Sequence, residues 1–420
     1  IWQALGKLDK AIEECEAAIQ RGHHENEQAY LLHGQLHLQK VNLDQAETDF
    51  SRAIKTEHRC IQAYVGRACV FLLSGRLELA LEDVTKATEI DPNSALAHYN
   101  RGIVLERLGK IEEAYASYSQ ALQIAPRFAL AYAHRATLLG SRRKFDRALS
   151  DLDEAIRLDP NFTEAYHLRG FAWCGKQEFR KAADDFSKAI KLDPNRADSF
   201  QGRGIAWAAL KEYSKAADDY SQAIRIDPNR DGLFDGRAKL WNLLGEHEKA
   251  IVDLTRAIEL HPDRKSSRLY RDVARIAVED FAEAAEELGA IIRIDPSNPT
   301  ALYLHGVAAF ELGDFDQAIA DATKANNFGF PPAPSYRLRG DAWFAKRDSE
   351  KAIANYDWAA VQDPLDHDAL NRLAWILATA SDDHLRDGRR AVESANRACE
   401  LTDWKIPDHL ATLAAAYAES

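Results

Sequence analysis

His33 and His37, four residues apart, are the best-spaced pair of metal ligands in this chain. On a helix that spacing puts both imidazoles on one face, where they could hold zinc if a third ligand reached them. No glutamate stands in the His-Glu-x-x-His arrangement, and no second ligand pair lies nearby in sequence. His23 and His24 fall in a turn, and the fourteen histidines form no other metal set. The expectation is chance surface histidines, with no metal and no cofactor. Nucleophile and phosphate motifs are absent: there is no Gly-x-Ser-x-Gly, no Walker loop, and no glycine-rich turn after a strand. Asp184-Asp185 and Asp218-Asp219 are paired carboxylates of the kind that do acid–base work, yet they recur at equivalent places and read as architecture. No catalysis is expected of this segment.

The strongest charge pattern is a ladder. Arg67, Arg101, Arg135, Arg169, Arg203, Arg237, Arg271 and Arg339 recur every 34 residues, with His305 at the one exception. Asp49, Asp83, Asp151, Asp185, Asp219, Asp253 and Asp321 form a second ladder on the same period. A basic stripe could bind an anionic ligand. Arginines beside a tightly packed small residue are partly buried, however, and a buried charge needs a partner. The expected use is therefore an ion pair between helices. Arg101 and Arg339 face Ser117 and Asn355 in that register and are the better candidates for a ligand.

Helix breakers set the elements that carry these ladders. Pro92, Pro126, Pro160, Pro194, Pro228, Pro262 and Pro296 keep the 34-residue interval, Phe330 misses one beat, and Pro364 restores it. A fixed interval of this kind predicts stacked, near-identical units rather than one globular core. In 163–194, Tyr166, Gly170 and Trp173 share one face of a helix, and Ala182, Phe186, Ala189 and Ile190 share one face of a second. A polar turn at 175–178 separates them, Asp193-Pro194 stops the second, and Asn195 is placed to cap the next. Small residues let the axes approach while aromatic ones fill the gaps. The same places hold Gly102, Ala114, Tyr118 and Ala121; Gly204, Trp207, Ala216, Tyr220 and Ala223; and Gly340, Trp343, Ala352, Tyr356 and Ala359. Gly75, Gly109, Gly245 and Gly313 close first helices.

The chain has 420 residues and a formal net charge of −12, which argues against nucleic acid as the main partner. No apolar run is long enough to span a membrane. Its five cysteines are scattered and lack any Cys-x-x-Cys, favouring a reducing, cytoplasmic setting over a disulfide framework. With no methionine, even at position 1, it reads as an excerpt of a longer or processed protein, so a signal or anchor could lie outside it.

This unit resembles the tetratricopeptide repeat (TPR) family over essentially the whole chain. The resemblance implies an all-α, right-handed α-solenoid (superhelix) of stacked helix hairpins. It divides the chain into a partial repeat at 1–26 (second helix only), ten 34-residue units over 27–366, a unit at 367–405 with a lengthened inter-helix loop, and a partial last repeat at 406–420 (first helix only). Asp272 replaces a small residue in the unit at 265–298, which should be a weaker joint that tolerates cutting. The run from Leu373 to the C-terminus resembles the closing repeats of large bacterial TPR proteins.

In that family one stripe of the first helix lines a concave groove. Here the stripe holds Tyr99, Ile103 and Glu106; His167, Phe171 and Cys174; Gln201, Ile205 and Ala208; Asp235, Lys239 and Asn242; Tyr303, Val307 and Phe310; and Arg337, Asp341 and Phe344. Exposed aromatic residues on such a surface would anchor a ligand. A clamp on a terminal carboxylate, as in chaperone-binding relatives, would need Lys239, Asn242 and Arg337 together, but they fall in different units. The asparagine ladder of the nucleocytoplasmic glycosyltransferase is missing, since its places read Leu32, Gly66, Asn100, His134, Leu168, Gly202 and Gly236. The resemblance therefore implies a non-catalytic scaffold that binds an extended peptide or a partner helix. The alternative is the recruiting arm of a glycosyltransferase or kinase whose catalytic domain lies elsewhere. A third reading is self-association through the exposed end helices.

Overall fold

The structure is a computed structural model and describes residues 8–20 and 27–420. Among these residues there are twenty-four α-helices, one short 3-10 turn at Asp383–Leu385, and no strand. His23, His24 and the start of the expected partial first repeat lie outside the described residues. The fold is an all-α solenoid, and the chain divides into two compact units, 1–212 and 213–420.

In the first unit the helix Leu8–Gln20 packs on Glu27–Gln39, which forms a hairpin with Leu43–Thr56. Hairpins beginning at Ile61, Ala95, Ala129 and Thr163 follow in a stack, and Ala197–Ala209 is its last helix. The second unit opens with Tyr213–Ile226 and stacks hairpins beginning at Asp231, Lys265, Pro299, Pro332 and His367. Its last helix, Pro407–Glu419, packs on both His367–Thr379 and Gly388–Leu401. The longer loop of that hairpin holds the 3-10 turn and is tied down by Arg386, which pairs with Glu419 at 2.9 Å.

The turns follow from local chemistry. After Phe179–Leu192, Asp193 is extended, as a residue before proline prefers. Its carboxylate accepts the Asn195 N–H at 3.0 Å, and the next helix begins only at Ala197. Asn195 therefore does not cap that helix. Arg196 holds the cap position and makes no side-chain cap bond. Within hairpins the chain turns through a left-handed residue, Gly75 at φ 75° and Gly109 at φ 73°. Where no glycine is available, Val41, Arg143, Gln177, Glu279 and Arg347 adopt the same conformation.

Packing between hairpins follows a size rule. The Phe50 ring lies against Gly34 of its own hairpin and Gly66 of the next; a Cβ added at Gly66 would sit 2.5 Å from it. Phe186 lies likewise between Gly170 and Gly202, where added Cβ atoms would come within 2.8 and 2.5 Å. Where the second helix offers a smaller side chain, Val84, Leu152 or Leu254, the first helix offers Ala68, Ala136 or Ala238 instead of glycine. Ring with glycine and aliphatic with alanine thus keep the combined side-chain volume of the joint closer to constant.

Candidate functional site

The arginine ladder is built into the hairpins. Arg67 grips Asp83 through two bonds of 2.8 Å, and Arg135, Arg169 and Arg237 hold Asp151, Asp185 and Asp253 in the same bidentate way. The partner always lies 16 residues on, across the hairpin. The remaining amino group reaches back to the preceding hairpin, Arg67 to Ser51 at 3.1 Å and Arg169 to Asp153 at 2.6 Å. Each arginine thus pins three helices, and the ladder offers no basic stripe to a ligand. His33 and His305 replace arginine and hold Asp49 and Asp321 at 2.8 and 2.6 Å. Arg271 pairs instead with Glu287, at 2.6 Å. Arg101 donates to Ser117 at 3.0 Å and leaves its buried Nε without an acceptor, while Arg339 lies over the Tyr336 ring at 4.8 Å.

Several residues of the expected groove face inward. Tyr99 is only 9% exposed, packed between Phe128, Tyr118 and His134. Burial pushes its phenol up to about 12. Glu106 accepts the Tyr118 hydroxyl at 2.7 Å and lies 3.6 Å from His134. His167 is buried against the Ser199 hydroxyl at 3.1 Å, and burial lowers its pKa to about 4. Cys174 is half-buried, which pushes its thiol up to about 11, and all five cysteines are free. Ile103 and Gln201 are half-buried, but Phe171 and Ile205 stand 43% and 40% exposed. Phe171 edges a cleft of about 300 Å³ between first helices, floored by Phe145, Leu152 and Leu168. Gly140 on its rim leaves that space open.

In the second unit Asp235 is buried, accepting Ser267 at 2.7 Å and pairing with Arg264 at 3.0 Å. Lys239 lies over Tyr270 at 4.8 Å, and Asn242 meets His247 at 3.0 Å. Tyr303 stacks on Phe330 at 4.2 Å, so the residue that misses the proline beat supplies a ring. Arg337 pairs with Asp366 and Asp368 at 3.0 and 3.2 Å. Lys239, Asn242 and Arg337 thus serve separate internal contacts. Phe344 is exposed, and it opens onto a cleft of about 350 Å³ shared with Trp375, Ile376, Asn371, Arg372 and Asp408. Trp375 is 42% exposed and continues the stripe by one more 34-residue step from Asp341, a signal present in the sequence and not used.

Arg372 reaches Asp341 at 2.6 Å, and Asp341 also accepts the Tyr356 hydroxyl at 2.6 Å. The cleft therefore has an apolar wall and a fixed polar one. The two histidines spaced for metal binding, His33 and His37, are buried rather than on the surface, which corrects the expectation.

Two models described as tetratricopeptide repeat match residues 95–128 and residues 175–231, 273–329 and 337–403, and a TPR repeat model matches 68–109. Together these spans exceed half the chain. The chain belongs to the tetratricopeptide repeat family. Its repeats support a protein-interaction scaffold in general terms. This TPR chain is similar in fold to the crystal structure of the APC/C hetero-tetramer Cut9–Hcn1, with a TM-score of 0.51 at 15% identity over 99% of this chain and 94% of that one. YrrB, titled a TPR protein with an unusual peptide-binding site, is 27% identical over 43% of this chain and 92% of its own, with a TM-score of 0.36. MamA from Desulfovibrio magneticus RS-1 is 23% identical over 41% of this chain and 97% of its own, at a TM-score of 0.38. No curated protein matches. No helix among the described residues is long and apolar enough to cross a membrane.

Proposed function

We propose that this TPR chain holds an extended peptide or a partner helix along the stripe of its first helices, without catalysing a reaction. The cleft formed by Phe344, Trp375 and Ile376 carries the reading. Two exposed aromatic rings offer apolar anchors of the type that dominate binding energy. Beside them the Asn371 side chain lines the cleft as a polar group that does not spend its buried Oδ1 on a bond within the fold. Phe171 and Ile205 offer a second apolar patch in the first unit.

The test is selection of a random peptide library on the intact chain, followed by affinity measurement on Trp375→Ala and Phe344→Ala. Loss of one anchoring ring should weaken a selected peptide about tenfold or more, near ~1.4 kcal/mol. Failure to enrich any peptide, or affinities unmoved in both variants, would overturn the proposal.

A further inference from the structure

Near the start of the described residues, three potential ligands from two helices converge. His33 and His37 project from the helix Glu27–Gln39, and Glu16 from the helix Leu8–Gln20. One ligand atom from each lies within 4.8 Å of the others. The two imidazole Nε2 atoms are 3.2 Å apart, with their rings at 89°. Glu16 Oε1 lies 3.8 Å from His33 Nε2. From this arrangement we infer that His33, His37 and Glu16 bind one divalent transition-metal ion of the zinc type.

The distances fit the coordination chemistry. Two Zn–N bonds of about 2.0–2.1 Å at a tetrahedral angle separate the nitrogens by about 3.3 Å. The observed separation is 3.2 Å. The carboxylate must close by roughly half an ångström toward His33 and by more toward His37, and the Glu16 side chain, 52% exposed, is free to do so. The outer contacts also fit. Asp49 Oδ2 holds His33 Nδ1 at 2.8 Å, so the proton sits on Nδ1 and the Nε2 lone pair points inward. Asn42 lies 3.4 Å from His37 Nδ1; with its amide turned, its oxygen accepts Nδ1–H and frees the second Nε2. Three protein ligands leave a fourth position for water. A dication would also balance the charges of Glu16 and Asp49. Without it, one N–H···N bond links the two rings while a carboxylate faces the same lone pair.

An internal control lies in the second unit. His305 holds Asp321 as His33 holds Asp49, and Gln317 bonds to Asp321 as Gln45 does to Asp49. At His305, however, the residue four places on is Ala309, so the second imidazole is missing. What distinguishes the first site is the added His37 and Glu16. Because Glu16 comes from the neighbouring helix, the ion would fasten Leu8–Gln20 onto the stack.

The experiment is titration of the metal-stripped chain with zinc chloride by calorimetry, with cobalt(II) absorption as the geometric readout. One equivalent should bind, cobalt should give the intense visible bands of a tetrahedral site, and zinc should slow hydrogen exchange in 8–20. Glu16→Gln, at an exposed position, should weaken binding about tenfold or more, His37→Gln should abolish it, and His305→Gln should leave it unchanged. The inference falls if the parent binds no zinc, if Glu16→Gln binds as tightly as the parent, or if cobalt shows only a weak octahedral spectrum. Glu16→Gln keeps the test decisive should His37→Gln fail to fold.

Discussion

Asp272→Asn should stabilise the hairpin Lys265–Ala277 and Phe281–Ile294, and the gain should grow with pH. Asp272 occupies the place that holds glycine or alanine in other hairpins and is fully buried. Its Oδ2 has no donor, and the next carboxylate, Glu287, is already held by Arg271 and Arg275 at 2.6 Å each. Arg275 reaches Asp272 only at 3.2 Å. Burial, reinforced by Glu287, pushes the Asp272 carboxyl up to about 8, against about 3.9 in an unfolded chain. At neutral pH the folded protein therefore keeps a proton that the unfolded chain releases. That proton lets Asp272 donate to Glu287. Between about pH 4 and pH 8 the unfolded state binds fewer protons, so stability falls as pH rises. The slope is at most about 1.4 kcal/mol per pH unit, and from pH 5 to 7.5 the ceiling is roughly 3 kcal/mol. Glu287 is shifted downward and titrates below this window, so it adds a constant there. Asparagine keeps the shape and donates to Glu287 with no proton to lose. Hydrogen exchange over 265–298, at pH 5 and pH 7.5, resolves this joint without assuming that a repeat array unfolds as one unit. The variant should exceed the parent by at least about 1 kcal/mol more at the higher pH. A difference that is flat with pH would refute the assignment of a buried, protonated Asp272.

Two further perturbations test the packing and the ladder. Gly66→Ala drives a Cβ to 2.5 Å from the Phe50 ring and should cost about 1–3 kcal/mol in urea unfolding, with Phe50→Leu in the same chain recovering part of it; a loss unaffected by Phe50→Leu would disprove the size rule. Arg67→Met strands the buried Asp83 and should cost about 3–5 kcal/mol, whereas Arg101→Met, which faces only Ser117, should cost about 1 kcal/mol; equal losses in the two variants would mean that the carboxylate does not set the strength of the ladder.

The hairpins and the ladder were legible because both follow from the period. Residues 16 apart, such as Arg67 and Asp83, face each other across every turn of constant length. The exposure of the groove residues was not legible, because it depends on what the next hairpin lays over them. Tyr99 is covered by Phe128 and His134, His167 meets Ser199, and Tyr303 is covered by Phe330. Phe171 leans on Phe186 and His167 of its own hairpin, while the preceding first helix offers it only Thr137, Gly140 and Ser141, so it stays open. The third ligand of the histidine pair was hidden for a related reason. Glu16 belongs to a different helix, and no spacing within Glu27–Gln39 could reveal it.

The ring between two glycines has a consequence for how such a chain can change over generations. Phe50 leans on Gly34 behind it and Gly66 ahead of it, so the segment that must vary together runs from 34 to 66 and straddles a hairpin boundary. A larger side chain at either glycine is tolerated only after the ring has shrunk, and a shrunken ring invites both neighbours to grow. Drift should therefore leave correlated pairs 16 positions apart on both sides of each ring. A comparison that lines up hairpins one beneath another, proline to proline, would cut each of these trios in two and miss the correlation.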